Sequence, residues 1–202
     1  MTELEPLYTA EEMKVAEAGH DVEALMERAG VAVAAKVAHD YPGARVVAVC
    51  GKGANGGDGR IAAQKLGADV VEVGAELAPA DVFIDAIFGT GFHGEPREEA
   101  ARSIEAIRNA NVPVVAVDVP SGVNASTGEV SGVCVDAVTT VTFHGEKVGL
   151  AVAPGSLHEC RVCRIQSLSA GSGEGRLRLL RKLLQFSLQR GVVVRERDDS
   201  TP

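Results

Sequence analysis

Short runs of apolar residues alternate along this chain with longer stretches in which apolar positions recur every three to four residues. Such a text predicts strands and helices in turn. Thr9-Ala10-Glu11-Glu12 has the spacing of a capping box, so a first helix is expected to start there. A second is expected after Asp21, where Val22, Leu25, Met26, Ala29, Val33 and Val37 fall on one helical face and Tyr41-Pro42-Gly43 closes it. Strands are then expected at residues 45–50 (RVVAVC), 70–73, 82–88 (VFIDAIF), 112–119 and 137–143 (AVTTVTF). A glycine-rich loop at residues 51–59 is expected to lead into a helix running through Leu66, and residues 96–110 read as a further helix with Ile104 and Ile107 inward. Alternation of this kind means βαβ units, hence an α/β fold: a Rossmann-like three-layer sandwich with a mostly parallel sheet and N-terminal helices.

Composition agrees with that body. Of 202 residues 46% are apolar but only Phe 5 and Tyr 2 are aromatic, while Gly numbers 23. This makes a real core and no aromatic platform for nucleic acid. A net charge of −8 argues further against binding a phosphate backbone, and no apolar run is long enough to span a membrane. The N-terminus has no pattern of a secretory signal, and Cys50, Cys134, Cys160 and Cys163 read as free thiols, so a cytoplasmic location is expected. Residues 169–202 carry +3 and residues 1–168 carry −11. The chain therefore divides into a body at 1–168 and a basic tail, with a Ser/Gly-rich link and a leucine-rich stretch at 176–190 that reads as disordered or helical.

In an open parallel sheet, ligands bind beyond the carboxyl ends of strands, and the chemistry-bearing residues cluster there. Gly51, Gly53 and Gly56 fit Gly-x-Gly-x-x-Gly, and Glu72 lies where an acid that grips a ribose is expected in a dinucleotide-binding unit. The loop is richer than that motif, with five glycines in nine positions and Asn55 and Asp58 among them. Asp85 and Asp118 interrupt apolar strands, where an acid is costly unless paired, hydrogen-bonded or bound to a cation. Asn55, Asp85 and Ser121 offer oxygen only, which suits a hard cation rather than zinc. The residues leave open an oxidoreductase of Rossmann type and a non-catalytic nucleotide-binding module.

The segments GKGANGGDG, DAIFGTGFHGE, VDVPSGVNASTGEV and TVTFHGEKVGL, with LMERAG earlier, resemble the NAD(P)H-hydrate epimerases, the YjeF N-terminal domain family, over roughly residues 8–165. The resemblance implies an enzyme, an isomerase that repairs NADH and NADPH hydrated at C6 of the nicotinamide by interconverting the R and S forms. It implies a potassium ion held by Asn55, Asp85 and Ser121. It implies substrate contacts at Ala54, Asn55, Gly56, Gly57 and Asp58, at Gly89, Thr90, Gly91, Phe92, His93, Gly94 and Glu95, and at Asp118. It also implies a homodimer and coupling to an NAD(P)H-hydrate dehydratase that consumes the S form. For catalysis, Asp118 is the residue expected to steady the cationic ring and carry the proton, with Lys147 as a second candidate. Two departures stand out. Ala54 replaces the first of the family's two successive asparagines, and HECRVCRIQSLSAG replaces its usual closing strand and turn, although residues 161–165 can still supply a strand.

Overall fold

In the computed structural model, residues 7–152 and the backbone of Val162–Ile165 are described; the expected tail lies outside the described residues. A two-residue strand β1 (Leu7–Tyr8) precedes helix α1 (Ala10–Glu17), whose first turn closes through the expected capping box at Thr9. Helix α2 (Val22–Asp40) starts at Asp21, whose carboxylate accepts from the amides of Glu23 and Ala24. Then follow β2 (Val46–Cys50), α3 (Ala54–Leu66), β3 (Asp69–Glu72), β4 (Val82–Ala86), α4 (Glu98–Asn109), β5 (Val114–Val117) and β6 (Thr139–Phe143). A second two-residue strand, β7 (Glu146–Lys147), runs into α5 (Val148–Val152), and β8 (Val162–Ile165) closes the series.

Six strands form one sheet in the order β3-β2-β4-β5-β6-β8, every neighbouring pair parallel. The α/β expectation holds, and residues 161–165 do supply a strand, from Val162 to Ile165. Side chains alternate across each strand. Val46, Ala48 and Cys50 of β2 and Val82, Ile84 and Ala86 of β4 face Val33, Val37, Ala62 and Ala63 of α2 and α3. Val47, Val49 and Phe83 face Ile104 and Ile107 of α4 on the other side. Each such fully buried aliphatic chain contributes about 1.5–3 kcal/mol, so both layers are held by ordinary apolar burial.

Two expectations are corrected. Val22 is not part of the buried face of α2: it is 62% exposed, and inward burial begins at Ala29. The glycine-rich segment is mostly not a loop, because α3 already starts at Ala54 and takes Gly56, Gly57 and Gly59 into its first turns. Glycine is a poor helix former, by about 1 kcal/mol against alanine. Here close packing requires it. A β-carbon at Gly56 would strike the Gly51 carbonyl oxygen, and one at Gly59 would strike the side chains of Ala86 and Cys50. On α2, Gly30 leaves room for Ile61 and the Asp58 carbonyl. The glycines thus seat α3 against both the sheet and α2.

That order fixes where a ligand belongs. From β2 the chain goes to β3 on one side and then crosses to β4 on the other. The reversal opens a crevice at the carboxyl ends of β2 and β4. α3 begins beside it, and the segments after β4, β5 and β6 border it.

Candidate functional site

Asp85, the fourth residue of β4, is fully buried. One of its oxygens accepts from Ser121 Oγ at 2.6 Å and from the Ile87 amide at 3.3 Å; the other accepts from the Ser121 amide at 2.8 Å. Burial nevertheless pushes its pKa up to about 6, against the opposing pull of the Ser121 and Ile87 hydrogen bonds. Among the described residues no cationic side chain forms an ion pair with it. Ser121 Oγ also accepts from the Phe88 amide at 2.9 Å, and Asn55 Nδ2 donates to the Phe88 carbonyl at 2.8 Å. Asn55 Oδ1 lies where a β-carbon on Gly89 would come within 3.0 Å. The β4 and β5 ends and the first turn of α3 therefore meet around one backbone carbonyl.

Asp118 follows β5 in the left-handed region, φ +66°. Asp is one of the few residues to tolerate that conformation, and strained backbone of this sort gathers at functional sites. The turn aims its carboxylate at two neighbours. Oδ2 accepts from the Thr90 amide at 3.2 Å; Oδ1 accepts from Thr142 Oγ1 at 3.3 Å and from Lys147 Nζ at 2.5 Å. Lys147 is 1% exposed, and its ammonium donates also to Thr142 Oγ1 and the Phe143 carbonyl, both at 2.8 Å. All three of its protons are thus placed. A buried ammonium is tolerable only with such full pairing.

Asp58 lies one helical turn beyond Asn55 on α3 and is also buried. Burial first, then the negative charges of Asp118 and Glu17, push its pKa up to about 8. At neutral pH it is a neutral acid, whereas Asp118 is ion-paired with Lys147. A buried carboxyl group whose proton is held more tightly than usual, near one bound in an ion pair, is what acid–base chemistry needs.

The structure brings together Asn55, Asp85 and Ser121, and links Asp118 to Lys147 and Thr90. Gly56 and Gly57 lie in the first turn of α3, whose cap at Gly53 supplies no side-chain hydrogen bond. Ala54 is exposed at the start of that helix. Phe92 stacks on Phe88 with ring centres 4.5 Å apart, while Gly91, His93, Gly94 and Glu95 stand on an exposed stretch. Glu72 is held by Arg60 Nη2, which donates to its two oxygens at 2.7 and 2.6 Å. Cys50 is buried and free, and Cys134 is free and half-buried.

Sequence reasoning passed over Thr142 and Arg60. It also passed over β1, which pairs in parallel with β7 so that Tyr8 lies opposite Lys147. Gly145 in TVTFHGEKVGL was the available signal for that last feature: a β-carbon there would run into the Tyr8 ring.

A family model described as YjeF-related protein N-terminus matches residues 22–78 and 70–149. The chain is 38% identical to an NAD(P)H-hydrate epimerase of Limosilactobacillus fermentum, over 68% of this chain and 82% of that one. It is 40% identical to a bifunctional NAD(P)H-hydrate repair enzyme Nnr of Pyrobaculum aerophilum, over 65% of this chain and 34% of the other. A similar match to the Nnr enzyme of Hyperthermus butylicus is 38% identical and covers 64% of this chain and 32% of that one. The chain thus spans about a third of the length of these bifunctional relatives. The crystal structure of yeast ynu0 has the same fold, with a TM-score of 0.66 at 20% identity over 79% of this chain and 87% of the yeast one.

Proposed function

The chain belongs to the YjeF-related protein N-terminus family, and from that premise we propose that it epimerises hydrated NADH and NADPH at C6 of the nicotinamide ring, as a step of cofactor repair. The observation that carries this reading is the Lys147-paired Asp118, bound through the Thr90 amide to the segment whose Phe88 carbonyl meets Asn55 and Ser121, with the buried acid Asp58 one helical turn beyond Asn55.

Inversion at C6 requires the hydroxyl group to leave and return on the opposite face. The C6–O bond breaks as the oxygen takes a proton, and the lone pair of the ring nitrogen fills the gap to give an iminium cation and water. Asp58 is suited to give that proton. Asp118 is suited to face the cation and to take a proton from the water that adds back, and exchange with solvent returns that proton to Asp58 before the next turnover. Positioned acid–base help of this sort is worth about 10²–10⁴-fold each time. Lys147 and Thr142 hold Oδ1 of Asp118 and so fix where Oδ2, which accepts from the Thr90 amide, points. Amides at the start of α3 without a side-chain cap favour the pyrophosphate of the dinucleotide.

The same cluster fits a potassium ion. Asp85 is buried without a cationic partner among the described residues, and next to it stand the Ser121 hydroxyl and, through Ser121, the Phe88 carbonyl that Asn55 also holds, oxygens of the kind a hard cation takes. Asn55, Asp85 and Ser121 would hold the ion, and its positive charge would offset the buried carboxylate and tie three segments together. A dehydratase that consumes the S form completes the repair in this proposal, and a homodimer is the expected assembly. A cytoplasmic location is part of the same proposal. Among the described residues no helix is long and apolar enough to cross a membrane.

The experiment supplies pure R-form hydrate, potassium and a separate S-specific dehydratase, and follows recovery of NADH. Recovery that accelerates when this protein is added supports the proposal. An unchanged rate refutes it.

A further inference from the structure

Glu72 and Arg60 stand at the crown of the sheet and have no part in the chemistry at C6. Glu72 ends β3 directly beside Cys50, in register, and the Val73 amide donates to the Cys50 carbonyl. Arg60 reaches up from the second turn of α3. Its Nη1 donates to the Gly51 carbonyl at 3.0 Å, and its Nη2 grips the Glu72 carboxylate. The pair is partly open to solvent, with side chains 38% and 57% exposed.

Strand order gives the direction of a dinucleotide. Asp118 and Lys147 lie past β5 and β6, the start of α3 lies past β2, and β3 is the next strand outward from β2. With neighbouring strands about 4.8 Å apart, Glu72 stands three spacings, roughly 14 Å, from Asp118 along the sheet. A dinucleotide with its nicotinamide at Asp118 and its pyrophosphate on the first amides of α3 therefore carries its adenosine half over β3. An acid at this place accepts hydrogen bonds from a ribose 2′-hydroxyl, and an arginine nearby accommodates a 2′-phosphate. Here both are present and bound to each other.

We propose that the Arg60–Glu72 pair reads the 2′ position of the adenosine ribose and makes the protein favour hydrated NADH over hydrated NADPH; the inference rests on the epimerase reading of the pocket. Glu72 offers lone pairs to a hydroxyl group and repels a phosphate. It also neutralises the Arg60 guanidinium beside it. Because the Gly51 carbonyl anchors Arg60 independently, loss of the Glu72 charge leaves the guanidinium in place and free to meet a phosphate.

Calorimetric titration of the intact chain with ADP-ribose and with 2′-phospho-ADP-ribose tests this without requiring turnover. The expected result is roughly tenfold tighter binding of ADP-ribose, about the worth of one charge-assisted hydrogen bond at a partly exposed site. In Glu72→Gln that ratio is expected to fall to one or reverse, and in Glu72→Ala likewise; both change a half-exposed side chain, so the fold is kept. Equal binding of the two ligands by the unaltered protein, no binding of either, or a ratio that neither variant moves would overturn the inference. If the ratios shift as expected while the protein fails to interconvert the hydrates, the specificity pair stands and the catalytic reading falls. If both hydrates are epimerised with a preference that Glu72→Gln leaves untouched, the specificity pair alone falls.

Discussion

At the scale of single residues, the site depends on how buried charge is arranged. Thr142 both donates to Asp118 and accepts from Lys147, so it keeps the ion pair in one geometry. Thr142→Val preserves shape but strands an ammonium proton, and leaving such a buried donor without a partner costs about 1–3 kcal/mol. Turnover of Thr142→Val is expected to drop roughly tenfold or more with KM little changed, and Thr142→Ser to restore most of it; equal loss in both variants would reduce Thr142 to a packing role. Asp58 gives the pH dependence. An acid must be protonated to act, so with its pKa pushed up to about 8 the rate should be flat at neutral pH and decline as pH rises through that value. Asp58→Asn should lower the rate and remove the decline, as a pH profile of kcat would reveal.

Helices and strands place those residues, and here part of the architecture was legible and part was not. The strand at 82–88 was recognisable from its apolar run, and Asp85 and Asp118 were recognisable as acids out of place in it and its neighbour. The helical character of Gly56, Gly57 and Gly59 was not, because local propensity argues against it. What decides is the contact of Gly56 with the Gly51 carbonyl and of Gly59 with Ala86, and a linear text does not contain contacts. Val22 misled for the related reason that periodicity gives a face but not what covers it. The burial of Lys147 depends on β6 and β7, and the pairing of β7 with β1 joins segments far apart in sequence. A stability test follows from the glycines. Gly56→Ala should improve intrinsic helix propensity yet destabilise the protein by about 1–3 kcal/mol, since backbone must move to admit the methyl group. Gly53→Ala, with nothing within 4 Å, should cost far less. Urea unfolding of the two variants would separate packing from propensity.

Over the whole molecule, the strand order makes one crevice serve several ends. Reversal between β2 and β4 brings the α3 amides, the Asp85–Ser121–Asn55 oxygens and the Asp118–Lys147 pair to the same end of the sheet. A cation that ties the segments after β4 and β5 to α3 should stabilise the fold as a unit. Thermal unfolding is therefore expected at higher temperature in potassium chloride than in choline chloride of equal ionic strength. Asp85→Asn should abolish that difference; a difference of the same size in the variant would move the cation elsewhere.

The claim on which all of this depends is that the crevice inverts C6 with Asp118 at its centre. It is tested most directly by incubating each purified epimer of hydrated NADH with the protein and separating the two by chromatography over time. Either starting epimer should reach the same mixture much faster than in buffer alone, and Asp118→Asn should slow this approach by about a hundredfold or more. Interconversion no faster than in buffer, or undiminished in Asp118→Asn, would contradict it.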